Sequence, residues 1–234
     1  MDYTAEGNQV SSSYYYEASL NYNRTFREKH NITGLLVGVL RENKSGGASS
    51  IQTSLPARNI GLSGRFTYAY DGRYFAEANF GYNGSERFAK NERFGLFPSI
   101  GAGWMISEEK FWNQDLKNII NKLKLKGTYG LVGNDNIGAW NDRFFYMSEV
   151  NLNGSGANFS WGQDFERNVG TIDMIRYRND KIKWEIAQKM NLGLEVGLFN
   201  IFDIQFDYFT EYRKNIFGER QTIPYEMGFS APLY

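Results

Sequence analysis

A chain of 234 residues with 26 Lys plus Arg, 26 Asp plus Glu and one His has no net charge, so no basic field recruits nucleic acid and no acidic tail solvates it. It holds no cysteine, which excludes disulfides, thiolate metal sites and a cysteine nucleophile and is compatible with an oxidising envelope compartment. Aromatics make up 17% of it and mean hydropathy is -0.52; no run of about 18 apolar residues exists, which excludes a spanning helix but leaves open a β-barrel, whose polar lumen face offsets its lipid face.

In chain order, the first predicted element is a strand in which Tyr14, Tyr16, Ala18, Leu20 and Tyr22 alternate with Ser13, Tyr15, Glu17, Ser19, Asn21 and Asn23. Alternate residues of a strand face opposite sides, so one face is apolar and the other wet. Its length exceeds the five or six residues or so usual in soluble sandwiches and matches the roughly 9 to 11 that cross a bilayer at a tilt. A polar turn at 27–31, a strand over 32–40 with less clearly separated faces, and a Gly/Ser/Asn loop at 41–56 follow. Leu62, Phe66, Tyr68 and Tyr70 then lead through Asp71-Gly72 to Tyr74, Ala76, Ala78, Phe80 and Tyr82. Asp-Gly supplies the positive φ angles of a tight primed turn, and the even-numbered apolar set puts both arms' large side chains on one face.

After a charged loop at 84–93, Ile100, Ala102, Trp104 and Ile106 alternate with Ser99, Gly101 and Gly103. The stretch 107–121 breaks the alternation. A capping Ser107, Glu108 and Glu109, then Phe111, Trp112, Leu116, Ile119 and Ile120, predict a short helix. Leu123, Leu125, Tyr129 and Leu131 alternate with Lys122, Lys124, Lys126 and Thr128, and these lysines must face water, since a Lys on the lipid face at mid-bilayer costs about 2 to 4 kcal/mol. The stretch 133–180 is irregular, rich in Asn, Gly and aromatics, and is expected to hold strands that rise above a membrane. Met190, Leu192, Leu194, Val196 and Leu198, a turn at Asn200, and Phe202, Ile204, Phe206 and Tyr208 complete the pattern. Short and long connections alternate, as turns on one side of a membrane and loops on the other do. The fold predicted is all-β: about eight antiparallel up-and-down strands of a transmembrane barrel, with one helical insert.

Several phrases occur in an order that resembles one family. Tyr70-Asp71-Gly72-Arg73-Tyr74, Gly84-Ser85-Glu86-Arg87-Phe88, Phe97-Pro98-Ser99, Ala102-Gly103-Trp104 and Ile106-Ser107-Glu108-Glu109 are followed by Leu123-Lys124-Leu125, Tyr129-Gly130, 133–138, Trp184-Glu185, Gly197-Leu198-Phe199-Asn200, Asp207-Tyr208-Phe209, Tyr212-Arg213-Lys214 and Ile223-Pro224. Together they resemble the barrel of SusC/RagA-type TonB-linked outer-membrane transporters of Bacteroidetes. The resemblance implies that residues 1–234 are a partial barrel domain, a slice of a wall of about 22 strands whose signal peptide, plug domain and TonB-contacting part lie elsewhere. It implies a Gram-negative outer-membrane location, import of glycans or peptides, a SusD-like lipoprotein partner, contact with lipid and with the TonB complex, and no enzyme activity, catalytic residue, cofactor or nucleic acid. Residues 1–10 lack a cationic region followed by an apolar one, and the expectation is a mature chain or a piece of a longer one.

On the residues alone two other architectures stand beside this one. One is a complete eight-stranded structural barrel; the other is a soluble carbohydrate-binding β-sandwich, which would bury Tyr14, Tyr16, Leu20, Phe66 and Tyr68. His30 reads as a polar turn residue rather than a triad base. Glu108 and Glu109 read as acidic groups in the first turn of a helix rather than paired catalytic carboxylates. Gly101-Ala102-Gly103 lacks the rest of a dinucleotide fingerprint, and Asn134-Asp135-Asn136 and 151–156 lack calcium-loop spacing. The candidate ligand-contacting residues are Trp140, Phe144, Tyr146 and Trp161, with Phe145 and Phe159 beside them, because aromatic faces among Asn, Asp and Gln suit sugar stacking. No metal site is expected.

Overall fold

The structure is a computed structural model that describes residues 10–46, 54–137, 144–165 and 167–218. Along it run β1 (Ser12–Phe26), β2 (His30–Lys44), β3 (Ala57–Tyr70), β4 (Tyr74–Ser85), β5 (Phe94–Met105), a 3-10 turn (Ile106–Glu108), α1 (Gln114–Ile119), β6 (Ile120–Asn134), β7 (Glu149–Trp161), β8 (Arg167–Arg176), β9 (Glu185–Leu198) and β10 (Phe202–Lys214). Eight strands form one sheet in the order β1-β2-β3-β4-β5-β6-β9-β10, and β7 and β8 pair in a separate ribbon between β6 and β9. Every pairing is antiparallel. The sheet is open, with β1 and β10 at its edges, so it is not a closed eight-stranded barrel. Nor do the described residues form a sandwich: Tyr16, Leu20 and Phe66 are exposed at 63, 68 and 50%, and among the described residues no second layer covers them.

The register sorts the two faces. Tyr22, Gly34, Phe66, Ala78, Ile100, Tyr129, Met190 and Thr210 lie opposite one another across the eight strands. The next row is Asn23, Thr33, Thr67, Glu77, Gly101, Thr128, Asn191 and Phe209. One is largely apolar and the other largely polar, and because the side-chain period is two, a one-residue slip of any strand would move its apolar set to the wet face. On β3 the apolar face runs from Tyr70 to Ile60, ten residues on, before Arg58 pairs with Glu42. That is about 33 Å of strand, or about 25 Å along the normal at a tilt of about 40°, the height of a lipid-facing band.

The short turns share one design. Arg27-Glu28-Lys29, Asp71-Gly72-Arg73 and Phe199-Asn200-Ile201 each place positive φ on their first two residues. In each, the third residue's N–H donates to the carbonyl just before the turn, Lys29 to Phe26, Arg73 to Tyr70 and Ile201 to Leu198. Positive φ at both central positions matches the right-handed twist of the flanking strands. Gly72 adopts it without strain.

Some local expectations are corrected. His30 is not in the turn but is the first residue of β2, where Nδ1 lies 2.8 Å from Tyr68 Oη and the ring centroid 4.9 Å from that of Tyr70. Ser107 caps nothing and is buried; Asn113 caps α1, its Oδ1 accepting from the Leu116 N–H at 3.1 Å. Glu108 lies in the 3-10 turn and Glu109 just after it, so both precede α1, whose own first turn holds Asp115. Asn134 Oδ1 accepts from the Asn136 N–H, an Asx turn at the end of β6, and 151–156 lies within β7.

Candidate functional site

At the long-loop end, apolar residues from separate connections meet. Phe88 comes from the β4–β5 loop, Ile137 and Phe145 from the β6–β7 segment, and Ile182 and Trp184 from the approach to β9; all are buried, with Phe97, Ile186 and Phe217 packed against them. Trp184 stands with ring centroids 5.2 Å from both Phe88 and Phe97. Polar ties hold the same loops: Arg87 Nη1 donates to the Ile137 carbonyl at 2.8 Å, Trp184 Nε1 to that of Arg93 at 3.2 Å, and Asn215 Nδ2 to that of Trp184 at 3.2 Å. The Arg176 guanidinium sits 4.8 Å from the Phe145 ring centroid and 3.1 Å from Glu149. A buried cluster with these loop carbonyls hydrogen-bonded joins the connections into one packed platform. Phe97 reaches it from β5 because the backbone beside it is bare: a Cβ on Gly133 would lie 1.9 Å from the Phe97 ring. The β5–β6 ladder also ends at Ser99 and Gly130, next to Pro98, which has no N–H to give.

Of the aromatics singled out in the sequence, Phe144 and Tyr146 are brought together, half-buried, with ring centroids 6.0 Å apart in an edge-on arrangement. They flank Phe145, which is core and not a ligand-facing residue. Phe144 has φ 61°, a conformation rare for a bulky residue and typical of sites where the surrounding fold over-determines the backbone. Trp140 lies outside the described residues. Trp161 ends β7 opposite Arg167, and its side chain, like that of Phe159, lies outside them too.

The ribbon carries a feature the sequence reading missed. Val150 pairs with Met174, and these with Leu152 and Ile172 are exposed at 40 to 72%. The signal was present as a short alternation on each arm, hidden by register shifts between Asn151 and Asn158 that break the period. The ribbon thus carries exposed apolar side chains outside the main sheet.

The polar face of the sheet is a lattice of charges. Glu195 accepts from Lys122 at 2.8 Å and Lys126 at 3.2 Å; Lys126 also lies 3.4 Å from Asp207. Arg65 and Asn79 meet Glu77, and Lys124 lies over the Phe75 ring. The lysines of β6 thus face the wet side, as their alternation required. Beside them a recess of about 540 Å³ is floored by Gly101, Gly103 and Gly130, so the double-glycine phrase is a mid-strand dent in a wall. Among the described residues no cluster of His, Asp and Glu could hold a metal ion.

At the short-turn end Arg73 bridges Asp71 at 2.6 Å and Glu109 at 3.0 Å, while Glu109 accepts from Tyr74 Oη at 2.5 Å and Trp104 Nε1 at 3.0 Å. These donors hold the Glu109 carboxyl below the usual carboxylate range, Tyr74 contributing most, then Trp104 and Arg73.

No protein-family model matches the chain. It is 33% identical over 151 residues to the TonB-dependent receptor SusC of Bacteroides thetaiotaomicron, covering 64% of this chain and 14% of that receptor. With the TonB-dependent receptor P39 of Formosa agariphila it shares 27% identity over 245 aligned positions, covering 92% of this chain and 21% of the relative. The fold matches the RagAB peptide importer in its closed-closed state with a TM-score of 0.69 at 22% identity, over 94% of this chain and 25% of that one. The open-open state gives 0.65 at 23% identity. The chain spans 14 to 25% of the length of these proteins.

Proposed function

Because the chain is similar to SusC/RagA-type TonB-dependent receptors in sequence and to part of one in fold, we propose that it is a stretch of such a receptor and forms wall, lumen surface and external loops of an outer-membrane importer of glycans or peptides. On this reading residues 1–234 are one stretch of the barrel domain, and the plug and TonB contact come from other parts of the receptor. The observation that carries it is the pair of neighbouring rows across eight strands, one largely apolar and the next largely polar. With the apolar row exposed along its length, the two rows suit a wall with lipid on one side and water on the other. Peptide cargo is supported by the likeness to the RagAB peptide importer. A SusD-like lipoprotein lid is supported by the exposed apolar face of the β7–β8 ribbon, which stands at the long-loop end where such a partner would sit.

Phe144, Tyr146, Trp140 and Trp161 are the residues offered to cargo, by stacking, and the chain supplies no catalytic group. The test is made on the whole receptor in its host. An epitope inserted at Gly162, in the ribbon tip, should bind antibody on intact cells, and one at Gly72 only after the outer membrane is permeabilised. Uptake of labelled oligosaccharide or peptide should be lost when the receptor is deleted. Equal labelling of both epitopes, or undiminished uptake of both cargo classes, overturns the reading.

A further inference from the structure

The apolar stripe does not stop where the short turns would suggest. On β4 its last row is Tyr74, which continues through Trp104, Leu125 and Leu194 to Phe206 on β10. On β6, β9 and β10 two more rows follow, Leu123-Val196-Ile204 and Ile120-Leu198-Phe202. A level stripe on strands tilted by about 40° shifts about 4 Å along the strand for each neighbour about 4.8 Å away, about 16 Å over the four steps from β4 to β10, and four residues supply about 13 Å. The other end shifts in the same sense: Ala78, with Phe80 and Tyr82 still beyond it on β4, shares its row with Thr210, beyond which lie Tyr212 and then the charged Lys214. The extra rows are thus at the depth of Tyr74 and Trp104.

Beyond these rows the apolar surface leaves the strands altogether. Phe199 N–H donates to the Ile119 carbonyl at 2.9 Å, joining the β9–β10 turn to the end of α1. Phe111, Ile119, Phe199 and Ile201 are exposed at 64, 49, 55 and 76%. The other short turns, Arg27-Glu28-Lys29 and Asp71-Gly72-Arg73, carry charge instead. Glu109, at the head of the insert, is bonded to Tyr74 and Trp104, both on the apolar face, so the insert is anchored on that side of the wall. Lys110 is exposed beside Phe111, and Lys117 pairs with Glu108 at 3.3 Å.

We propose that 106–119 together with 199–201 is an interfacial foot, lying in the phospholipid headgroup layer next to the short turns. Phe111, Leu116, Ile119, Phe199 and Ile201 enter the upper acyl region, and Lys110 meets lipid phosphate. Lipid is the occupant because the patch is continuous with the lipid-facing rows and is edged by Trp and Lys, the residues that favour that layer. The inference rests on the membrane-wall reading above.

The test places an environment-sensitive nitrobenzoxadiazole dye on single cysteines, Phe111→Cys and Ile201→Cys, in the whole receptor reconstituted in phosphatidylethanolamine–phosphatidylglycerol vesicles. Glu28→Cys and Ile100→Cys serve as references for the charged turn and the lipid-facing row. The foot predicts blue-shifted emission at 111 and 201 that is lost on adding brominated-acyl phospholipid and resists iodide, with 28 showing the reverse. Emission at 111 and 201 quenched by iodide and unmoved by brominated lipid, while 100 is quenched by that lipid, overturns the foot and leaves the wall. If 100 is also unmoved, the wall reading falls and the foot with it.

Discussion

Arg73, at the close of the β3–β4 turn, donates through Nη1 to Glu109 Oε2 at 3.0 Å, linking two connections 36 residues apart in the chain. Its other arm holds Asp71, Asp71 in turn lies 3.8 Å from Lys29, and Glu109 is shared with Tyr74 and Trp104. One carboxylate therefore ties the β5–β6 insert to the end of the β3–β4 hairpin.

Glu109→Gln should loosen that end. Glu109's folded pKa is depressed, so its contribution is present above its unfolded value and lost as pH falls through the lower folded value. At neutral pH the variant receptor should melt below wild type, and the two should converge below the ordinary carboxylate pKa of about 4. Circular dichroism melts in detergent across that window check this; a constant gap at all pH values would remove the charge from the account.

Gly72→Ala puts a side chain where φ is +67°, although no heavy atom stands within 4 Å of its Cβ. The cost is conformational, about 1 kcal/mol. Gly38 has equally open space and no positive φ, so Gly38→Ala should be near neutral. Urea titration of receptor folding into vesicles separates the two.

Ile100→Lys places a charge in the middle of the apolar row, where it should cost about 2 to 4 kcal/mol of folding into a bilayer. Thr67→Lys, opposite Glu77 on the other face, should cost little. A similar penalty at both positions would mean that the two faces do not meet different solvents.

Phe144→Ala and Tyr146→Ala should weaken cargo binding by about 1 to 3 kcal/mol each if their rings stack on it. Phe145→Ala should instead destabilise the loop platform by about 3 to 5 kcal/mol, since its ring is buried. Isothermal titration with oligosaccharide and peptide pools, alongside melting curves, distinguishes contact from packing.

The alternation of Tyr14 to Tyr22, the Asp71-Gly72 turn and the lysines of β6 were legible in the sequence because period, turn chemistry and the cost of a buried charge are local properties. They yielded the strands, the faces and the short turns, and the ordered phrases yielded the family. The loops were not legible: Phe144, Phe145 and Tyr146 are equivalent in a string of letters, and only the arrival of Phe88, Ile182 and Trp184 from distant connections buries Phe145 and leaves its neighbours half-exposed. Glu109 was likewise read as a helix-end charge, because local spacing says nothing of Arg73 36 residues away. Neighbouring residues decide which face a strand side chain takes; which loops meet, and what they cover, is decided by contacts between residues far apart in the chain, and those exist only once the strands have paired.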